Sequence, residues 1–125
     1  MKLSIRKYWI GSAIVWALFS VHMLTKPGSG EPSWWMIFPE MDKVVHAIVF
    51  AWWAVLAYLS FESQSVVNGI IVAVLGVLLG ASTEWLQTFV ANRDGNVEDL
   101  LADTAGLMIA ITFTFYVKKN QYRTK

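Results

Sequence analysis

The sequence predicts an all-α integral membrane protein: a bundle of four transmembrane helices, both termini cytoplasmic, with a polar pocket near the outer leaflet. Three observations predict it: long runs without charge, an uneven distribution of Lys and Arg, and polar residues gathered at one end of the spans. No Asp, Glu, Lys or Arg occurs in residues 8–25, 44–61 or 63–83, runs of 18, 18 and 21 positions. A helix rises ~1.5 Å per residue and a hydrocarbon core is ~30 Å thick, so about 20 apolar residues cross it. Composition agrees, with 56% hydrophobic residues and a mean hydropathy of +0.49. Charged residues make up 15%, where a soluble domain carries ~25%. A soluble bundle is disfavoured, because uncharged runs this long, with 7 Trp in the chain, would aggregate if exposed to water. Cysteine is absent, which excludes disulfides and thiolate metal sites and leaves the compartment unread from redox chemistry.

The first span, residues 8–24, follows a basic start of Lys2, Arg6 and Lys7. It is read as a retained anchor rather than a signal peptide, since it is long, contains Trp9 and Trp16, and has no A-x-A-like site before Lys26. Prolines and glycines mark residues 26–33 as a loop. Trp34, Trp35, Ile37 and Phe38 read as an interfacial aromatic belt ended by Pro39. The second span covers residues 44–61, a tight polar turn covers 62–65, and the third span covers 66–90, long enough to tilt. After a polar loop, Asp103 and Lys118 leave only 14 residues between them, or ~21 Å of helix. The fourth span must therefore start near Asp99 and is placed at 99–117. No internal repeat or second domain is seen, so residues 1–125 form a single transmembrane domain.

Lys and Arg flanking the spans set orientation. The N-terminus and the tail (Lys118, Lys119, Arg123, Lys125) together carry 7, and the opposite side carries Lys26, Lys43 and Arg93. Both termini are expected in the cytoplasm. The short basic tail is explained by orientation, and no nucleic-acid partner is expected.

With that topology the ionisable residues gather near the outer face. Asp42 and His46 open the second span, Glu84 and Gln87 lie late in the third, Asp99 and Asp103 begin the fourth, and Arg93 lies in the loop between. Residues three or four apart share a helix face. Gly69, Ala73, Gly76, Gly80, Glu84 and Gln87 form one such stripe, and its small residues suit close helix packing. Asp99, Asp103, Gly106 and Ala110 form another on the fourth span, and Asp42, His46, Phe50, Trp53 and Ala57 a third on the second. Blander readings exist for several of these. The glycines serve packing alone, Asp42 and Asp99 suit helix caps, His22 is an interfacial residue, and Arg93 suits a lipid phosphate. Glu84 resists such a reading, because an unpaired ionisable group within an apolar span costs ~2.5–3.5 kcal/mol or more.

The motifs Asp42-Lys43-x-x-His46, Glu84-x-x-Gln87, Arg93 and Asp99-x-x-x-Asp103-x-x-Gly106 resemble those of the VanZ-like membrane proteins. The resemblance covers roughly residues 40–110 and departs at Asp103, where that family more often has Asn. It implies a multi-helix protein of the bacterial cytoplasmic (inner) membrane. It also implies a link, through the family's namesake, to resistance against the glycopeptide teicoplanin, although the family as a whole has no settled biochemical activity.

Three functional readings follow. In the first, which the sequence favours, Asp42, Lys43, His46, Glu84, Gln87, Arg93, Asp99 and Asp103 line a pocket. This pocket holds the polar head of a membrane lipid, lipid-linked envelope precursor or lipoglycopeptide. Four crowded carboxyls disfavour full ionisation and admit a phosphate poorly unless a cation accompanies it. In the second, Asp42, His46, Asp99 and Asp103 hold a divalent metal for hydrolysis or transfer on a lipid-linked substrate, with Glu84 as general base. No H-E-x-x-H, Ser-His-Asp order or phosphate-cradling glycine loop supports that chemistry. In the third, the polar layer fixes helix order, Arg93 folding back on Glu84 or Asp99, in an oligomer or an accessory subunit of a partner membrane protein.

Overall fold

The structure, a computed structural model, describes residues 3–30 and 37–123. Its elements are α1 (Leu3–Leu24), α2 (Met41–Leu59), α3 (Val66–Gln87) and α4 (Val97–Arg123), with no strand among the described residues. Three stretches are long and apolar enough to cross a membrane: Met41–Leu59, Val66–Gln87 and Val97–Gln121. Helix α1 has the length but not the apolarity, since its 22 residues include Arg6, Lys7, three serines and two tryptophans. Trp34 and Trp35 of the expected aromatic belt lie outside the described residues, as do Lys2 and Lys125.

The boundaries differ from the charge gaps for local reasons. A gap in charge marks where a helix can be apolar, not where backbone bonding begins. Helix α2 starts at Met41, three residues before the gap, behind Glu40 in the left-handed region (φ 69°). Helix α3 stops at Gln87 because Thr88, Phe89 and Val90 switch to i→i−3 bonds onto Trp85, Leu86 and Gln87, the tightened ending usual at a helix C-terminus. Asn92, also left-handed at φ 56°, turns the chain away. Helix α4 starts at Val97 because Asn96 accepts the Glu98 N–H on its side chain (2.9 Å), and it runs past Val117 through Lys118 and Lys119. Ser65 opens α3 in the same way, its hydroxyl accepting the Asn68 N–H at 3.2 Å.

Alternate helices run in opposite directions. Near one end Arg6 of α1 donates to the Ser60 carbonyl in the α2–α3 turn (3.2 Å). At the other end the loop after α1 packs on the α3–α4 loop, with Gly28 N–H donating to Ala91 O (3.2 Å) and Asn92 Nδ2 to Gly28 O (3.1 Å). Helices α2, α3 and α4 supply most of the core, including Phe50, Trp53, Tyr58, Val72 and Leu107. Helix α1 lies outside them, burying only Ala13, Ser20 and Leu24 and joined to α2 by Trp16 Nε1–H donating to Val49 O (3.0 Å).

Among the glycines, Gly106 of α4 makes the tightest approach to another helix: a Cβ there would overlap the backbone carbonyl of Ala47 on α2. Gly76 receives the side chains of Leu107 and Trp53, Gly69 those of Ile111 and Tyr58, and Gly80 the Asp103 carboxylate. In lipid, helix association relies on such contact rather than on exclusion of water, so these positions carry the seam. Polar side chains within the spans bond locally: Ser20 to Trp16 O, Thr83 to Gly80 O and Thr104 to Leu100 O.

Candidate functional site

The seam between α2 and α4 sets the site. His46 precedes Ala47 by one residue and Asp103 precedes Gly106 by three, so the Gly106–Ala47 contact places both side chains in the same interface. The His46 ring and the Asp103 carboxylate meet at 2.9 Å, Nδ1 to Oδ1. With Asp103 ionised its carboxylate accepts, so the imidazole donates from Nδ1 and Nε2 is left for another partner. Glu84 enters from α3 with Oε1 3.8 Å from His46 Nδ1, and Asp99 enters from the first turn of α4 with Oδ2 3.9 Å from His46 Nε2. All four side chains are buried. Three of their oxygens, Glu84 Oε1, Asp99 Oδ1 and Asp103 Oδ2, have no hydrogen-bond partner among the described residues.

The other oxygen of Glu84 is engaged: Oε2 accepts the backbone N–H of Asn96 at 2.8 Å. That bond fastens the chain entering α4 over the end of α3. Gly95 permits it, because a Cβ there would lie 2.5 Å from the Glu84 carbonyl oxygen. Asn96 and Gly95 were not singled out from sequence. The signal was Asn96-Val-Glu-Asp99, a capping residue followed by acids in the first turn.

Lys43 sits at the rim, half-buried. It contacts Glu40, lies 3.2 Å from Glu98 Oε2 and 4.0 Å from Asp99 Oδ1. Gln87 is buried, but its Nε2 donates to the Leu24 carbonyl at 2.8 Å, joining α3 to α1. Asp42 lies on the rim beside Pro39, Glu40 and Met41, lining a shallow groove. Arg93 is not drawn onto Glu84 or Asp99; its Nε donates to Lys26 O at 3.1 Å in the loop layer. Asp99 is a first-turn acid and not the cap, which is Asn96. His22 is exposed on α1. Of the eight pocket residues, His46, Glu84, Asp99 and Asp103 therefore converge, Lys43 borders them, and Asp42, Gln87 and Arg93 face elsewhere.

The four convergent residues are packed together, and one of them, Glu84, also lines a groove. A groove of about 230 Å³ between α3 and α4 is lined by Glu84, Ala81, Trp85, Asn96, Val97 and Leu100, among others. Its walls are mainly apolar, and Glu84 is its ionisable member. A larger groove, lined by Lys7, Trp16, Trp52 and Leu56, lies between α1 and α2 towards the opposite end.

The VanZ/LLP1 family matches residues 4–118. The chain belongs to the VanZ/LLP1 family. That match takes in all four helices up to the basic stretch of α4 and identifies a VanZ-like envelope membrane protein. No curated protein and no solved structure matches the chain.

Proposed function

We propose that this protein is a single-domain, four-span protein of the bacterial cytoplasmic membrane, with both termini cytoplasmic. In this reading it holds the polar head of a membrane amphiphile at an outward-facing site centred on Glu84. The amphiphile is a lipid, a lipid-linked saccharide precursor or a lipoglycopeptide. One observation carries the reading: Glu84 lies both in the wall of an apolar groove between α3 and α4 and against the buried His46–Asp103 pair. A hydrocarbon chain fits the Trp85, Val97 and Leu100 side of the groove, and the head meets the carboxylate. Acids outnumber bases here, so the head that suits it donates hydrogen bonds, as a sugar hydroxyl or an amine does. A bare phosphate would be repelled.

The test is native mass spectrometry of the full chain released from gentle detergent or nanodiscs, with added glycolipid, aminolipid or teicoplanin. Wild type is expected to retain one amphiphile, and Glu84→Gln to lose at least tenfold in affinity while remaining folded. An equal affinity in Glu84→Gln, or no retained amphiphile, refutes the reading. Because the chain has no cysteine, single cysteines at Ser29 and Ser63 report topology by impermeant labelling. Ser29 is expected to label from outside and Ser63 only after permeabilisation.

A structural reading is favoured by one set of contacts. His46–Asp103, Gln87–Leu24 O and Glu84–Asn96 N–H each join two different segments. The unpartnered oxygens of Glu84, Asp99 and Asp103 argue for more than a brace, since a network serving only the fold gains by satisfying every member.

A further inference from the structure

The geometry within the cluster has a feature that amphiphile binding does not use. One ring nitrogen of His46 and one oxygen each of Glu84 and Asp99 lie within 4.8 Å of one another. Three different helices bring them together. An acidic cluster alone would mean little. Here the oxygens without partners belong to Glu84, Asp99 and Asp103, which are 8%, 6% and 0% exposed. An ionised oxygen buried without a partner is among the costliest groups a fold can hold.

The spacing fits an ion. Separations of 3.8 Å (His46 Nδ1 to Glu84 Oε1) and 3.9 Å (His46 Nε2 to Asp99 Oδ2) exceed the ~2.7–3.2 Å of a hydrogen bond. The Nε2–Asp99 separation matches two donors that each lie ~2.0–2.2 Å from a shared cation, and one Glu84 oxygen lies within 4.8 Å of an Asp99 oxygen and of a His46 ring nitrogen. The imidazole is already oriented by its Nδ1–Asp103 bond, leaving Nε2, the atom that faces Asp99, as the ligating nitrogen. A carboxylate holding the far nitrogen of a ligating histidine is the usual support of a metal-bound imidazole. Two ligating carboxylates neutralise a divalent ion, which leaves the Asp103 charge against the imidazole N–H alone.

We propose that His46, Glu84 and Asp99 bind one divalent transition cation of the Zn²⁺ or Mn²⁺ class, with Asp103 as the positioning residue for the imidazole. The imidazole and the absence of thiolates favour these ions over Mg²⁺ or Ca²⁺ and over soft Cu(I). The set differs from the one expected from sequence, because Asp42 lies on the rim and Glu84 replaces it. Three protein donors leave at least one coordination position free.

The experiment is calorimetric titration of chelator-treated, tag-free full-length protein in detergent with Zn²⁺ alone and with Mn²⁺ alone. One ion per chain is expected, with micromolar or tighter affinity. His46→Ala and Asp99→Asn are each expected to weaken it at least tenfold, and Asp103→Ala by ~10–100-fold. His22→Ala, altering the exposed histidine, should leave it unchanged. Visible absorption of the Co²⁺ form should shift in Asp103→Ala, which a purely structural role would not produce. Absence of stoichiometric binding by both ions overturns the proposal, as does unchanged binding in His46→Ala or loss of binding in His22→Ala. If His46→Ala fails to fold, the near-isosteric Asp99→Asn decides. The titration contains no amphiphile beyond detergent, so its outcome is separate from that of the lipid-binding test.

Discussion

Replacing Gly106 by alanine should break the site from a distance. A Cβ at this position would lie 2.8 Å from the Ala47 carbonyl carbon and overlap its oxygen. Backbone cannot rotate aside as a side chain can, so α2 and α4 must separate. Bringing that carbon contact to ~3.5 Å requires about 0.7 Å of movement. His46 and Asp103, adjacent to the contact, are 2.9 Å apart, and the same displacement takes them to about 3.6 Å, past the range of a hydrogen bond. Overpacking costs ~1–3 kcal/mol, and weakening a buried bond to a charged group adds up to ~1.5–3 kcal/mol. A total loss of about 2.5–6 kcal/mol is expected from those two terms. The control is Gly11→Ala, where the added Cβ meets nothing within 4 Å. There the higher helix propensity of alanine should be neutral or stabilising by up to ~1 kcal/mol. SDS titration in mixed micelles, followed by Trp fluorescence, measures both. Equal stability of the two variants would refute the claim that the α2–α4 seam sets the site.

Other outcomes follow from individual contacts. Asp103→Asn keeps an acceptor for the His46 Nδ1–H and should change stability by less than ~1 kcal/mol, whereas Asp103→Leu strands a buried donor and should cost ~1–3 kcal/mol. The same SDS titration compares them, and ¹⁵N spectra of His46 should show an altered ring only in the leucine variant. Gln87→Leu removes the bond to Leu24 O and should cost ~0.5–1.5 kcal/mol, with faster hydrogen exchange confined to the α1 end and residues 25–30. Arg6→Gln breaks an exposed pair with Glu62 at 3.5 Å and should alter stability by less than ~1 kcal/mol. A larger loss would mean that the Arg6–Ser60 carbonyl bond, rather than the ion pair, anchors α1.

What the sequence made legible, and what it did not, divides along physical lines. The helical class and the family were readable because an uncharged run and a fixed spacing of acids, His and Gln are local properties. The convergence of His46, Glu84, Asp99 and Asp103 followed from helix periodicity, since each lies on the stripe that also carries small packing residues. Helix ends were less legible: the position of Asn96 depends on a side-chain cap, and the end of α3 on a change of bonding register. Arg93 and Gln87 share the motif yet point away from the acids, because their partners are backbone carbonyls at the end of α1 and in the loop after it. A carbonyl has no signature in sequence, so a charge-matching argument sends Arg93 to the nearest acid instead. Asp42 illustrates the same gap, as one turn of helix from His46 carries it out of the seam to the rim.

The cluster's electrostatics bear on why it exists. Removing an ionised carboxylate from water costs several kcal/mol per group even after relaxation. Against this the described residues supply two hydrogen bonds, His46 to Asp103 and Asn96 to Glu84, and a Lys43 contact to Asp99 stretched to 4.0 Å. Bonds to charged groups return ~1.5–3 kcal/mol each, which would not cover three carboxylates were all of them ionised. An apolar replacement of similar volume would often hold helices together as well or better. A bundle whose seam already packs through Gly76 and Gly106 therefore has no need of this layer for cohesion. What the acids gain, they gain when something positive or hydrogen-bond-donating meets them. The groove that Glu84 lines, between α3 and α4, lies beside that cluster.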